Sequence, residues 1–379
     1  MQKKLTVALA ALLAGVIAVG VWKFGLLDRQ ASSAKDTIKI GLLLPLTGGA
    51  ASFGENSKRG ATLALQTFGT EHPELSIELI VEDSRGEAAQ GVKAAQKLVN
   101  IDQVVAVVGC VTSSVTLAVA PIMNERRVPI VSTGGSAPAI RDAGEFVFRT
   151  WPSDVYEAEA MVRHLGERQI RRLAILRINN EYGLAMERAL KQKLPPTIQV
   201  VATEGFEQGA REMRTQLLKI KDGHPDALYF IGFPEAALAL APSLSAVGLK
   251  VPLFATSAFQ DPQIPEKTGG VFEGTVFTRP LAKSPAVEGF RRTYKERFGI
   301  DPGVTSDTAY DAAALVMRAI ASISATKRPV TGEAIRDYLL QVQDYAGASG
   351  TLSFDAAGDV VKPVGLFTLH DGRFEALIP

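Results

Sequence analysis

Apolar, strand-like runs recur along almost the whole chain, each followed by a turn and then a helix-like stretch, and this order constrains the fold more than any single motif. The first run, Thr37 to Leu44, leads through the Gly48 to Gly54 loop into a helix-like Glu55 to Phe68. Leu75 to Glu82, Ala88 to Val99, Val104 to Val108 and Ser114 to Asn124 continue the alternation. Strands alternating with helices predict parallel sheets covered on both faces.

Two serine-bearing turns stand out within this pattern. Gly109-Cys110-Val111-Thr112-Ser113-Ser114 follows one strand, and Ser132-Thr133-Gly134-Gly135-Ser136 follows Val128 to Val131. Serine is also an ordinary helix N-cap, so either turn alone reads as structural. Two of them on successive parallel strands face one crevice, and hydroxyls with unpaired backbone N–H groups at helix starts suit a carboxylate. A ligand is therefore expected there.

The second half repeats the scheme. Phe146 to Thr150 leads into Trp151-Pro152-Ser153-Asp154, where Pro152 marks a change of direction. Helices are expected at Tyr156 to Glu167, from the Asn179 to Gly183 turn to Lys193, at Arg211 to Ile220 and at Glu235 to Ala246. Strands at Leu173 to Ile178, Ile198 to Thr203, Leu228 to Ile231 and Leu253 to Ala255 complete a second parallel sheet. Phe272 to Thr278 then returns toward the first lobe, where Pro285 to Phe298, Thr308 to Ile323 and Gly332 to Gln343 pack as helices. Turns follow at Ala356 to Asp359 and at His370-Asp371-Gly372, the second joining two hairpin strands.

With 379 residues the chain is long enough for two lobes. Of its 41 Lys/Arg and 40 Asp/Glu, five bases and one acid lie in residues 1–35, leaving the rest slightly acidic, so no nucleic-acid surface is expected. Cys110 is the single cysteine, which excludes an intramolecular disulfide and reads as a small buried thiol. His72, His164, His224 and His370 have no metal-ligand spacing, so neither a metal nor another cofactor is expected. The Gly48 to Gly54 loop lacks the features of a phosphate loop, and Pro138 stands where a serine-hydrolase elbow needs its last glycine. Nothing positive points to an enzyme.

Lys3 and Lys4 precede 18 uncharged residues, Leu5 to Trp22. That length lies between a secretory signal core and a spanning helix, so residues 1–35 read as a cleaved signal peptide or a retained membrane anchor. Either places the lobes outside the cytoplasm. With no cysteine after the apolar run, lipid attachment there is excluded.

From Ile38 to beyond Tyr310 the chain resembles the periplasmic solute-binding proteins of ABC transporters, in the branch that binds leucine, isoleucine, valine and related amino acids or amides. The resemblance is carried by Ile38-Lys39-Ile40-Gly41 with the Gly48 to Gly54 loop, and by Val108-Gly109 with Thr112-Ser113-Ser114. Glu181-Tyr182-Gly183 and Asp307-Thr308-Ala309-Tyr310-Asp311 extend it. It implies a type I periplasmic binding fold: an α/β protein with two doubly wound parallel-sheet lobes joined by a three-crossover hinge. Lobe 1 would hold residues 36–150 and 281–352, and lobe 2 residues 151–280 and 353–379.

The resemblance also implies a ligand site. Phe53 matches an aromatic at the rim of the first loop, Ser113 the hydroxyl that binds the ligand carboxylate, and Gly134 and Ser136 its partners in the second turn. Tyr182 matches the aromatic from the other lobe, and Phe233 takes the place of a tyrosine. Where the branched-chain binders carry a glutamate for the ligand ammonium, this chain has Ser257. A buried ammonium without that carboxylate would be about 2–5 kcal/mol less favourable. Either Asp154, which should reach the cleft mouth, or Asp261 serves instead, or the ligand is an amine-free carboxylate or amide. The expected partners are a small-molecule ligand and a membrane permease, with the protein a monomer and no second module after Pro379. A sensory receptor would use the same cleft.

Overall fold

The computed structural model describes residues 37–377 except Lys283. The apolar segment expected over residues 1–35 lies outside them; among the described residues no helix is long and apolar enough to cross a membrane.

The first sheet is built from β1 (Ile38–Leu44), β2 (Ile77–Asp83), β3 (Ala106–Gly109), β4 (Ile130–Ser132) and β5 (Val147–Arg149). All neighbours run parallel, in the order β2-β1-β3-β4-β5. Between the strands run α1 (Ala51–Glu71), α2 (Ala88–Asn100) and α3 (Ser113–Arg126). The four residues of β3, Ala-Val-Val-Gly, are all buried, because helices cover both faces of a parallel sheet.

The chain then passes to a second group of elements: α4 (Asp154–Glu167), β6 (Arg172–Ile178), α5 (Glu181–Lys193), β7 (Gln199–Phe206), α6 (Arg214–Asp222), β8 (Ala227–Ile231), α7 (Pro234–Val247), β9 (Leu253–Ala255) and α8 (Gln263–Lys267). The segment expected to return to the first lobe is instead β10 (Val276–Pro280), which pairs parallel with β9 and extends the second sheet. Only after β10 does the chain come back, as α9 (Pro285–Phe298), α10 (Ser306–Ala325) and α11 (Gly332–Leu339). α10 packs along α1 so closely that a Cβ on Gly60 would meet the Ser306 carbonyl oxygen at 2.0 Å.

A small antiparallel pair, β11 (Tyr345–Gly347) with β12 (Gly350–Leu352), was not foreseen. The third passage ends in β13 (Val364–His370) and β14 (Arg373–Ala376), an antiparallel hairpin on the edge of the second sheet, whose order is β14-β13-β10-β9-β8-β6-β7. Its turn is Asp371-Gly372, both with positive φ, as a two-residue hairpin of this twist requires.

Candidate functional site

The site begins where β3 turns sharply out of its sheet. Gly109 has φ 132°, and a Cβ there would lie 2.3 Å from the Leu43 carbonyl oxygen, so only glycine fits. Cys110 follows at φ 55°, its N–H donating to Leu43 O at 2.7 Å. Its thiol is fully buried, and burial pushes its pKa well up, which removes any nucleophilic role. Thr112 is extended, and α3 starts at Ser113.

The second turn is locked to the first. Ser132 Oγ donates to the Cys110 carbonyl at 2.8 Å and accepts the Gly135 N–H at 3.1 Å. Ser113 Oγ accepts the N–H groups of both Ser136 and Ala137 at 3.1 Å. Those backbone donors, expected to face a ligand, are thus already paired. The Ser113 oxygen is occupied as an acceptor, which leaves its hydroxyl hydrogen to donate into the cleft. No α-helix opens after this turn; a short 3₁₀ segment, Pro138–Asp142, follows instead, so a helix dipole supports the first turn alone.

The other half of the molecule closes over these turns. Tyr182, in the first turn of α5, stacks on Phe233 with ring centroids 5.4 Å apart, and Phe53 meets Phe233 edge-on at 6.4 Å. Phe53 sits inside α1, which starts at Ala51 rather than Glu55. The Tyr182 hydroxyl lies 2.6 Å from Thr256 Oγ1, and the Glu181 N–H donates across the cleft to Ser114 Oγ at 3.3 Å.

Phe53, Ser113, Gly134, Ser136, Tyr182, Phe233 and Ser257 line one cavity. It measures about 30 Å³, room for a water or two. A molecule the size of leucine enters only when the two halves part or the aromatic rings swing aside. Trp151, Thr112 and Thr305 also line it and were missing from the sequence-derived set. Thr112 Oγ1 is buried without a hydrogen-bond partner. Its place beside Ser113 in the first serine turn is the signal that could have found it.

Two expected acids stand elsewhere. Asp154 does not reach a cleft mouth: it opens α4, is fully buried, and donates its N–H to the Ser136 carbonyl at 2.8 Å. Neither of its carboxylate oxygens has a hydrogen-bond partner. Burial first, and then the charge of Glu157, push its pKa up to about 8, with Ser136 and Arg149 opposing less strongly. Asp261 accepts the Gln263 N–H at 2.9 Å and lies on a different cavity. Glu157, which sequence reasoning overlooked, is 1% exposed and accepts three hydrogen bonds, two of them from Ser257.

A family model described as Periplasmic binding protein matches residues 37–373. A Leu/Ile/Val-binding protein homolog 3 from Brucella melitensis biotype 1 is 26% identical over 355 residues, covering 92% of this chain and 95% of that protein. A leucine binding protein from Thermotoga maritima MSB8 superposes with a TM-score of 0.82 at 25% identity, over 90% of this chain and 98% of that one. A solute binding protein from R. palustris, solved in complex with benzoate, has the same fold, with a TM-score of 0.82 at 21% identity over 90% of this chain and 95% of that one.

Proposed function

Because the chain belongs to the periplasmic binding protein family, a family that binds substrates rather than converting them, we propose that it is the extracytoplasmic receptor of an ABC uptake transporter. Its ligand is an amino acid of the branched-chain or hydrophobic type, or a close derivative, held between the two halves. The observation that carries this reading is Ser113: its oxygen is saturated by two N–H groups, so its hydroxyl can serve only as a donor to an anionic or carbonyl ligand atom. Phe53, Phe233 and Tyr182 supply an apolar wall suited to a hydrocarbon side chain.

The carboxylate would sit at Ser113, Gly134 and Ser136, and Ser257 would lie on the amine side, while Asp154, buried and off the cavity wall, would not touch the ligand. Lobe 1 would comprise residues 36–150 and 281–352, lobe 2 residues 151–280 and 353–379, closing as a monomer and docking on a membrane permease. Residues 1–35 would act as a cleaved signal or as a tether to the outer face of the cytoplasmic membrane, which the intact mass of the native protein decides.

An amine-free carboxylate is the second reading. Ser257 favours it, because the cavity wall presents a neutral hydroxyl at the position where the resemblance to the branched-chain binders implies a glutamate. Gentle purification, denaturation and mass spectrometry of the released small molecule test both. Calorimetry with leucine and 4-methyl-2-oxopentanoate, its keto analogue, then ranks them, and tight keto-acid binding without leucine binding rejects the first.

A further inference from the structure

We propose that Glu157 provides the counter-charge for a ligand ammonium by acting through Ser257, whose hydroxyl oxygen it holds as an acceptor toward the cavity. The proposal rests on the amino-acid reading of the ligand and explains how the site could serve one without a carboxylate in its wall.

Glu157 lies one helical turn after Asp154, on the inner face of α4. Its Oε1 accepts the Ser257 hydroxyl at 2.6 Å, and its Oε2 accepts the Ser257 N–H at 3.1 Å and the Thr278 hydroxyl at 2.7 Å. A carboxylate has no hydrogen to give, so the direction of all three bonds is determined. The Ser257 hydroxyl hydrogen therefore points at Glu157, and its lone pairs are left for a donor from elsewhere.

A serine hydroxyl ordinarily gives or takes as required. This one is committed. Ser257 lines the cavity, and its oxygen makes no other hydrogen bond among the described residues. A donor arriving from the cavity would complete a chain in which a charged acceptor polarises the hydroxyl and strengthens its hold on a cation. Arg279 lines an adjoining cavity with Ser257 but makes no hydrogen bond to it. Asp154 neither lines the ligand cavity nor accepts a hydrogen bond through its carboxylate, and its raised pKa leaves it largely protonated near neutral pH. Glu157 is thus a positioning residue: it fixes the polarity of Ser257 without touching the ligand.

Calorimetry of the full chain with leucine and with 4-methyl-2-oxopentanoate separates the possibilities, since the two ligands share a carbon skeleton and a carboxylate. Glu157→Gln and Ser257→Ala should each weaken leucine about 10-fold to 150-fold, the range for a hydrogen bond to a charged group. The keto acid should change less than about threefold, reporting that the cleft and carboxylate site are intact. The double variant should lose little beyond either single one, since both break the same chain. If Glu157→Gln does not fold, Ser257→Ala with the keto-acid control carries the test. Leucine binding that survives both substitutions, or keto-acid binding that falls equally, overturns the relay and leaves the amino-acid reading standing. A parent protein that binds the keto acid but no leucine, or neither ligand, overturns both.

Discussion

Arg149 and Asp359 meet in a buried two-point ion pair, Nε to Oδ1 at 2.5 Å and Nη2 to Oδ2 at 2.6 Å. The Arg149 Nη1 goes on to donate to the carbonyls of Ser136 and Ala137 at 3.2 and 3.1 Å. A turn late in the chain thereby supports the backbone of the second serine turn. Asp359→Ala would leave a guanidinium that is 1% exposed without its partner. The expected cost is about 3–5 kcal/mol of folding stability, read from urea titration. A loss below about 1 kcal/mol would show that the pair is compensated elsewhere.

Ser113→Ala should act on binding and on stability together. Losing the hydroxyl donor should weaken a carboxylate ligand about 10-fold to 150-fold by calorimetry. The same change strands the Ser136 and Ala137 N–H groups, which costs about 1–3 kcal/mol in denaturant titration. Unchanged affinity would remove Ser113 from the site.

Thr112→Val should split those two effects. Its hydroxyl is buried without a partner, so an isosteric methyl should stabilise the ligand-free protein by about 1–3 kcal/mol. If the hydroxyl is kept for the ligand, the more stable variant binds more weakly. Stabilisation with full affinity would make Thr112 a spectator.

Asp154 predicts a pH dependence of known sign. Its folded pKa of about 8 stands above the ordinary 3.8, so the folded protein holds this proton where the unfolded chain has released it. Stability from this group is therefore complete below about pH 4, falls as pH rises, and levels off above about pH 8. Asp154→Asn should flatten that slope and raise the melting temperature most at the alkaline end. A variant whose melting temperature keeps the parent's dependence would show that another group sets it.

Much of the architecture was legible in the residues. Val104 to Val108 and Leu228 to Ile231 are continuous apolar runs because parallel strands are buried on both faces, and the spacing of Ser113 and Ser136 put both turns on neighbouring strands. Glu157 was not legible: its place behind Ser257 depends on packing between residues 100 positions apart, which local pattern does not encode. Asp154 was recognised as a candidate but misplaced, since an acid after a proline-marked crossover reads as exposed and this one opens a helix facing inward. The pair β11–β12 has strands of three residues, too short for a period-two pattern to register.

The three passages between the sheets also set the order in which the molecule can be completed. The helix that covers α1 comes from residues 306–325, and the second sheet receives its outermost strands from residues 364–376. During vectorial synthesis the first half lacks this helix until residue 325 has emerged, and the second sheet lacks its last strands until residue 376 has. Until then the apolar face of α1 and the free edge of β10 stay uncovered, both prone to the wrong partner. In an unfinished chain of this topology, that helix face and that strand edge are the two places a chaperone would have to shield.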